Sequence, residues 1–97
     1  MPSAIARLST PNGSKYLQQL CKHFAHKVDV EFTPTHGEIK FSIGTAVLDA
    51  DAEGLRMTAQ ADDADKLGQT QNVIESHLVR FAFREEMGPL DWAADAA

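Results

Sequence analysis

The sequence has little of what small secreted proteins and membrane proteins depend on. Cys21 is the single cysteine among 97 residues, so no internal disulfide can form. The longest strictly apolar run is three residues, which excludes a membrane-spanning helix and is too short for a signal peptide. A lone cysteine suits a reducing compartment, and we therefore expect a cytoplasmic protein that forms one domain over residues 1–97.

The motifs of common enzyme classes are also missing. Gly37, Gly44 and Gly54 are isolated, so there is no glycine-rich loop to hold a phosphate. No serine lies in a nucleophile elbow, and no pair of carboxylates is marked for separate acid and base roles. The sequence therefore predicts no catalytic residue and no cofactor, and it favours a non-catalytic role over an enzymatic one.

Acidic residues are absent from the first 28 positions, where Arg7, Lys15, Lys22 and Lys27 give a charge of +4 within a total of −5. This asymmetry has two interpretations. A basic helix can lie against the acidic remainder of its own chain, or the basic part of one copy can meet the acidic part of another in a homodimer. Nucleic acid is not an expected partner, because the chain as a whole is acidic.

Hydrophobic periodicity, by contrast, is plentiful. A weak alternation over 3–9 predicts a strand, and apolar residues at helical spacing predict a helix over 11–26. Alternation with short turns, one of them at 33–37, predicts four antiparallel strands between 28 and 61. Asp62 is placed to cap a second helix that ends near Phe83. Residues 90–92 suit a short last strand ahead of a tail at 93–97.

This order, β-α-β-β-β-β-α, predicts an α+β fold in which an antiparallel sheet of about five strands carries both helices on one face. It is the order of the TATA-box-binding-protein-like architecture, a topological analogy that carries no function. Gly54, in the loop before the last of the four strands, suits a positive φ angle.

Residues 20–27, Leu-Cys-Lys-His-Phe-Ala-His-Lys, contain the densest group of metal-ligating side chains. Cys21 and His23 are two residues apart, about 200° around a helix, so they point in opposite directions. Cys21 belongs to the apolar stripe, which predicts burial. His23 and His26 are three residues apart and can bind one metal ion, although two ligands make a weak site. Alternatively, His26 and Lys27 complement the negative end of the helix dipole.

A second group consists of His77, Arg80 and Arg84, at spacings i, i+3 and i+7 on one side of the second helix. No acid lies three or four residues from His77 or Arg80 within that helix. Arginines bind carboxylate and phosphate groups through paired hydrogen bonds, so these three are candidate ligand-binding residues. The alternative is that they complement the helix dipole and pair with acids elsewhere in the chain.

A basic strip on the outer face of the first helix is formed by Lys15, Lys22 and His26, beside Gln18 and Gln19. A strip of this size is usually a solvated face, and the strands offer no aromatic platform on which bases could stack. It therefore gives no reason to expect nucleic-acid binding.

The two helix segments, 16–27 and 77–86, and the strand at 37–41 resemble the bacterial family catalogued as domain of unknown function 2218. The resemblance covers about residues 3–92. The family has no established activity. Some members are associated with siderophore-interacting, flavin-dependent ferric reductases, so the resemblance implies a place near iron acquisition by association only. Residues 87–89, Met-Gly-Pro, interrupt the region in which the family has a regular last strand.

Two functions remain as hypotheses. The favoured one is an accessory module that binds a partner protein or a small anionic ligand through His23, His77, Arg80 and Arg84. The alternative is a metal-handling or enzymatic role in iron or siderophore metabolism, which uses the same histidines with Cys21. Both histidines lie at the border of an apolar stripe, so we expect His23 and His77 to meet if the helices pack side by side.

Overall fold

The computed structural model describes residues 2–82 and 90–94. Its elements are β1 (Ser3–Ser9), α1 (Gly13–Phe24), β2 (Asp29–Phe32), β3 (His36–Lys40), β4 (Thr45–Ala50), β5 (Gly54–Gln60), α2 (Ala64–Phe81) and β6 (Ala93–Ala94). The strands form one antiparallel sheet in the order β2-β3-β4-β5-β1-β6. The predicted α+β class and element order are confirmed, with six strands instead of about five.

Alternating side chains give the sheet one covered face and one open face. On β4, Ala46, Leu48 and Ala50 are buried and the residues between them are half-buried. Both helices lie on the covered face: α1 contacts β2 to β5, α2 contacts β1, β4 and β5, and the helices contact each other. The largest fully buried side chains of the resulting core are Leu17, Leu20, Ile39, Leu48, Leu55, Met57, Ile74 and Leu78. Neither described helix is long and apolar enough to cross a membrane.

The first helix is shorter than predicted at both ends. α1 begins at Gly13 and ends at Phe24, not at 11 and 26. It ends there because the amides of Lys27 and Val28 both donate to the Phe24 carbonyl at 2.9 Å, which tightens the chain into a turn leading to β2. His26 and Lys27 therefore follow the helix and do not lie in its last turn.

The second helix is capped by Asp63, not by Asp62. The backbone of Asp63 is extended, with φ −144° and ψ 173°, and its carboxylate accepts from the Lys66 amide at 2.8 Å. At the other end α2 is helical to Phe81. Its predicted end near Phe83 lies outside the described residues.

The last strand lies in the segment predicted to be a tail. Residues 93–94 pair with Ala4 and Ile5 on β1, whereas 90–92 are not a strand. The Trp92 indole donates to the Glu75 carboxylate at 2.9 Å, so this side chain anchors the segment to α2 before the pairing with β1 begins. Residues 87–89 lie outside the described residues.

Two glycines allow close approaches between layers and strands. His36 and Gly37 belong to β3, so the predicted turn at 33–37 is shorter. A Cβ at Gly37 would lie 2.7 Å from Sγ of Cys21 on α1, which lies over this strand.

The positive φ predicted for Gly54 is wrong. Gly54 is instead required by space, since a Cβ there would overlap the carbonyl oxygen of Leu8 on β1.

Candidate functional site

The packing of α1 against α2 brings His23 and His77 together. Their ring centroids are 4.9 Å apart, with the ring planes inclined at 47°. His23 also contacts Phe81, at 5.9 Å between ring centroids, and Phe24 lies 4.8 Å from His77 and 4.9 Å from Phe41. The expected meeting of the two histidines is confirmed, and aromatic rings surround the pair. Their role in binding stays a prediction.

One nitrogen of His77 is already engaged. Its Nδ1 lies 2.7 Å from the carbonyl oxygen of Val73, one turn earlier on α2. A carbonyl oxygen only accepts, so Nδ1 carries a proton and donates it. The backbone thereby fixes the tautomer of the neutral ring and leaves Nε2 to take up a proton or a ligand.

The two permanent charges that act on His23 within the described chain, those of Lys27 and Arg80, are both positive. We name His23, His26, Lys27, His77 and Arg80 the histidine cluster. Burial lowers the pKa of His23 from its ordinary value, and the positive charges of His77, Lys27, His26 and Arg80 lower it further. Within the described chain, no carboxylate contributes to this shift. Arg84, the remaining predicted binding residue, lies outside the described residues.

The basic strip and its neighbours are only partly where the sequence puts them. Lys15, Lys22 and His26 are exposed, as a solvated strip should be. Gln19, expected beside them on the outer face, is half-buried, and its Oε1 is buried without a hydrogen-bond partner among the described residues. Gln19 precedes His23 by four residues, so both lie on the side of α1 that faces α2.

Comparison with known proteins identifies the family. The sequence profile of the family described as "Uncharacterized protein conserved in bacteria (DUF2218)" matches residues 5–93. The chain belongs to the DUF2218 family. The resemblance of the two helix segments and of β3 is thereby confirmed.

A solved structure shares the fold of this DUF2218 chain. The NMR structure of PA4090 from Pseudomonas aeruginosa is similar over 100% of this chain and 98% of that one, with 33% sequence identity and a TM-score of 0.78. No curated protein matches the chain. Neither the family description nor the structure's name states an activity, so function has to be argued from the site itself.

Acidification should destabilise the DUF2218 domain in the range where His23 titrates. Its native pKa lies below the ordinary value of 6.5, so the unfolded chain binds this proton more readily than the folded one. The contribution of His23 to stability is therefore complete above the unfolded pKa and is lost as the pH falls below about 6.5. We expect the thermal midpoint to drop between about pH 7 and pH 5, and to drop less in His23→Gln.

His26→Gln is the matched control, because His26 is an exposed residue that follows α1. This variant should keep most of the fall in thermal midpoint between about pH 7 and pH 5. Identical pH profiles for His23→Gln and the unmodified protein would contradict the prediction.

Cys21 takes no part in this DUF2218 site. Its side chain is 0% exposed, and burial raises the pKa of the thiol to about 11. It is therefore protonated near neutral pH, whereas nucleophilic attack and metal binding both need the thiolate. The described residues contain no group of three or more His, Cys, Asp or Glu placed to hold a metal ion. The alternative that joined the histidines to Cys21 required an exposed thiol, and the thiol is buried.

Sequence reasoning missed a polar network on the open face. His36 Nδ1 lies 2.7 Å from Asp49 Oδ1, and Arg56 Nη2 donates to Asp49 Oδ2 at 3.2 Å. Burial alone would raise the pKa of Asp49, but the bonds from His36 and Arg56 outweigh it, and the pKa lies below its ordinary value. The three residues are directly opposite one another on β3, β4 and β5. Only the strand register reveals this, since the sequence placed His36 in a turn.

Proposed function

We propose that the domain is a non-catalytic binding module whose histidine cluster takes up an anionic group, a carboxylate or a phosphate. The observation that carries the proposal is that the two permanently charged side chains acting on His23 within the described chain, Lys27 and Arg80, are both cationic, and no carboxylate there acts on it. Cations held close together without a carboxylate repel one another, and a bound anion removes that repulsion. The histidine cluster is therefore suited to a negative charge that comes from a ligand or a partner and not from the described part of the chain.

The cluster offers hydrogen-bond donors suited to such a group. Nδ1 of His77 is engaged by Val73, so a protonated His77 has Nε2–H left to donate. Arg80 is exposed three residues further along α2, and its guanidinium can make paired hydrogen bonds to a carboxylate or phosphate. The aromatic rings beside the two imidazoles keep water from part of the site, which strengthens charged hydrogen bonds there.

An anionic group can come from a small ligand or from an acidic partner protein, and a titration with two probes separates these sources. Inorganic phosphate represents the small ligand, and a glutamate-rich peptide represents the acidic surface. We would follow the amide and imidazole NMR signals of the whole chain under reducing conditions. We expect saturable shifts centred on His23, His77 and Arg80, with tighter binding at about pH 6 than at about pH 7.5, because a larger fraction of His23 is then protonated and its positive charge attracts an anion.

Two substitutions and one control locate the binding. His77→Gln and Arg80→Gln should each weaken binding about tenfold, the loss expected for one charged hydrogen bond. Lys22→Gln removes a charge from the exposed outer face of α1 and should leave the affinity unchanged. The proposal is wrong if neither probe shifts the cluster at about 50 mM, or if Lys22→Gln weakens binding as much as Arg80→Gln.

A metal ion is the second candidate, and the 4.9 Å approach of two imidazole rings favours it. Nε2 of His77 and a ring nitrogen of His23 would be the ligands, and the bond from His77 Nδ1 to Val73 would orient the first of them. His26, the ligand predicted from spacing, acts on His23 through its charge, whereas the ring contacts of His23 in the described chain are with Phe24, His77 and Phe81.

Zinc and ferrous iron should be titrated under the same conditions. Changes confined to His23 and His77 that saturate at about one equivalent would favour metal handling over anion binding, and with ferrous iron they would support the role in iron or siderophore metabolism. Unchanged spectra at about 50 μM metal would favour the anion site.

A further inference from the structure

The open face of the sheet carries two like-charged cross-strand pairs of opposite sign. Glu31 on β2 is directly opposite Glu38 on β3, and Arg7 on β1 is directly opposite Arg56 on β5. Like charges in directly opposite positions destabilise a sheet. Within the described residues the salt bridges both go to Asp49, so none neutralises Glu31, Glu38 or Arg7.

The two pairs lie on opposite sides of β4 and in neighbouring cross-strand rows. The glutamates span β2 and β3 and the arginines span β5 and β1, but Glu38 is directly opposite Val47 whereas Arg56 is directly opposite Asp49. With neighbouring strands about 4.8 Å apart and two residues along a strand spanning about 7 Å, the centres of the pairs are about 16 Å apart. The row that contains the glutamates is less polar beyond β3, because Val47, Thr58 and Ile5 are directly opposite one another on β4, β5 and β1 and are half-buried.

We propose that this open face docks a second copy of the same chain. A symmetric dimer needs a patch that becomes complementary to itself after a two-fold rotation. If the axis lies between two open faces, passes over β4 between Val47 and Asp49 and is inclined by about 25° to that strand, the rotation exchanges the two pairs. Glu31 of each copy then lies over Arg7 of the other, and Glu38 lies over Arg56. Val47 meets its counterpart near the axis. Asp49 does so too, and its bonds to His36 and Arg56 offset part of the repulsion between the two carboxylates.

The arginine side of the face has room for opposing side chains. A cleft of about 110 Å³ lies beside Arg7 and Arg56, between the end of β1 and the β4–β5 turn. Arg56 gives Asp49 one hydrogen bond, which leaves other N–H groups of its guanidinium for a carboxylate. Asp51 and Glu53 also line the cleft, so the attraction for an incoming glutamate is moderate.

The size of the face sets the expected strength of the dimer. The six strands range from two to seven residues in length, and with about 3.4 Å per residue and about 4.8 Å between strands they give a face of roughly 500 Å². Stable dimers bury about 800 Å² on each partner. The dimer should therefore be weak and reversible, with a Kd above about 1 μM, and it should weaken as salt screens the paired charges.

Analytical ultracentrifugation of the full chain, over a concentration series at low and high salt, tests the proposal. Glu31→Arg and Arg7→Glu change two residues that face each other in the dimer, and each should weaken the dimer at least about tenfold, because each puts two like charges together in both halves of the interface. Mixed in equal amounts, the two variants should associate again, since each then supplies the charge that the other has lost.

The variants are expected to fold. Glu31→Arg replaces a like-charged cross-strand pair by an oppositely charged one, so it should raise the thermal midpoint of the monomer while it weakens the dimer. Arg7→Glu makes the same change opposite Arg56 but adds a carboxylate beside Asp51 and Glu53, so its thermal midpoint should change little. Lys22→Glu reverses a charge on the outer face of α1 and should leave association unchanged. Docking of a second copy here is ruled out by a chain that stays monomeric up to about 1 mM at low salt. A mixture of the two variants that stays monomeric, or loss of the dimer in Lys22→Glu, rules it out equally.

Discussion

Replacing Gly54 with alanine should lower the free energy of unfolding by about 3 kcal/mol, at the upper end of what forced overpacking costs. The added Cβ would overlap the carbonyl oxygen of Leu8, a backbone atom that can move only if β1 and β5 separate. These strands are paired along the whole of β1, so the strain falls on the sheet and not on a flexible side chain. Urea denaturation of the two proteins gives the difference directly.

Gly68→Ala is the matched control, because it adds the same methyl group in open space. A Cβ at Gly68, inside α2, meets nothing within 4 Å. Alanine there should raise the free energy of unfolding by about 1 kcal/mol, the usual difference in helix propensity. If Gly54→Ala proved neutral, the close approach of β1 and β5 would not be what requires glycine at this position.

Replacing Leu48 with alanine should cost about 3 kcal/mol of unfolding free energy, within the range for buried leucines in well-packed cores. Leu48 is 0% exposed and lies on β4, which both helices contact. Removing its outer carbons leaves a cavity that strands paired on both sides of β4 cannot close. The midpoint of urea denaturation should fall without a change in its slope, the sign of lost stability with unchanged exposed surface.

Val47→Ala is the control for Leu48→Ala, because it shortens a side chain on the same strand but on the open face. It therefore measures the loss of strand propensity without the loss of a fully buried side chain. Val47 is the preceding residue on β4 and faces the open side of the sheet. Its replacement should cost less than about 1 kcal/mol at micromolar protein concentration, where a weak dimer is dissociated. Equal losses for Leu48→Ala and Val47→Ala would mean that the core is not confined to the covered face.

The order of the elements could be predicted because it depends on local periodicity, which one sequence contains in full. The ends of the elements could not. Asp62 and Asp63 are equally good caps as residue types, and the choice depends on which of them takes the extended backbone. The position of β6 depends on pairing with Ala4 and Ile5, which lie at the opposite end of the sequence.

The candidate site was predictable to the extent that it depends on helix geometry. The helical period places His23 and His77 at the borders of two apolar stripes, and packing the stripes on one sheet brings those borders together. The position of Gln19 depends on how far α1 is rotated on the sheet, which the period alone leaves open. The bonds among His36, Asp49 and Arg56 depend on the register of three strands, and no local pattern contains that register.

The burial of Cys21 makes this side chain a reporter of how the domain opens. Thiol reagents attack the thiolate, and a protonated thiol between α1 and β3 is out of their reach until the helix leaves the sheet. The labelling rate of Cys21 therefore reports the fraction of molecules in which α1 has separated from the sheet. If the free energy of this opening equals that of complete unfolding, the helices and the sheet unfold as one unit. Faster labelling would mean that α1 detaches while the sheet stays intact.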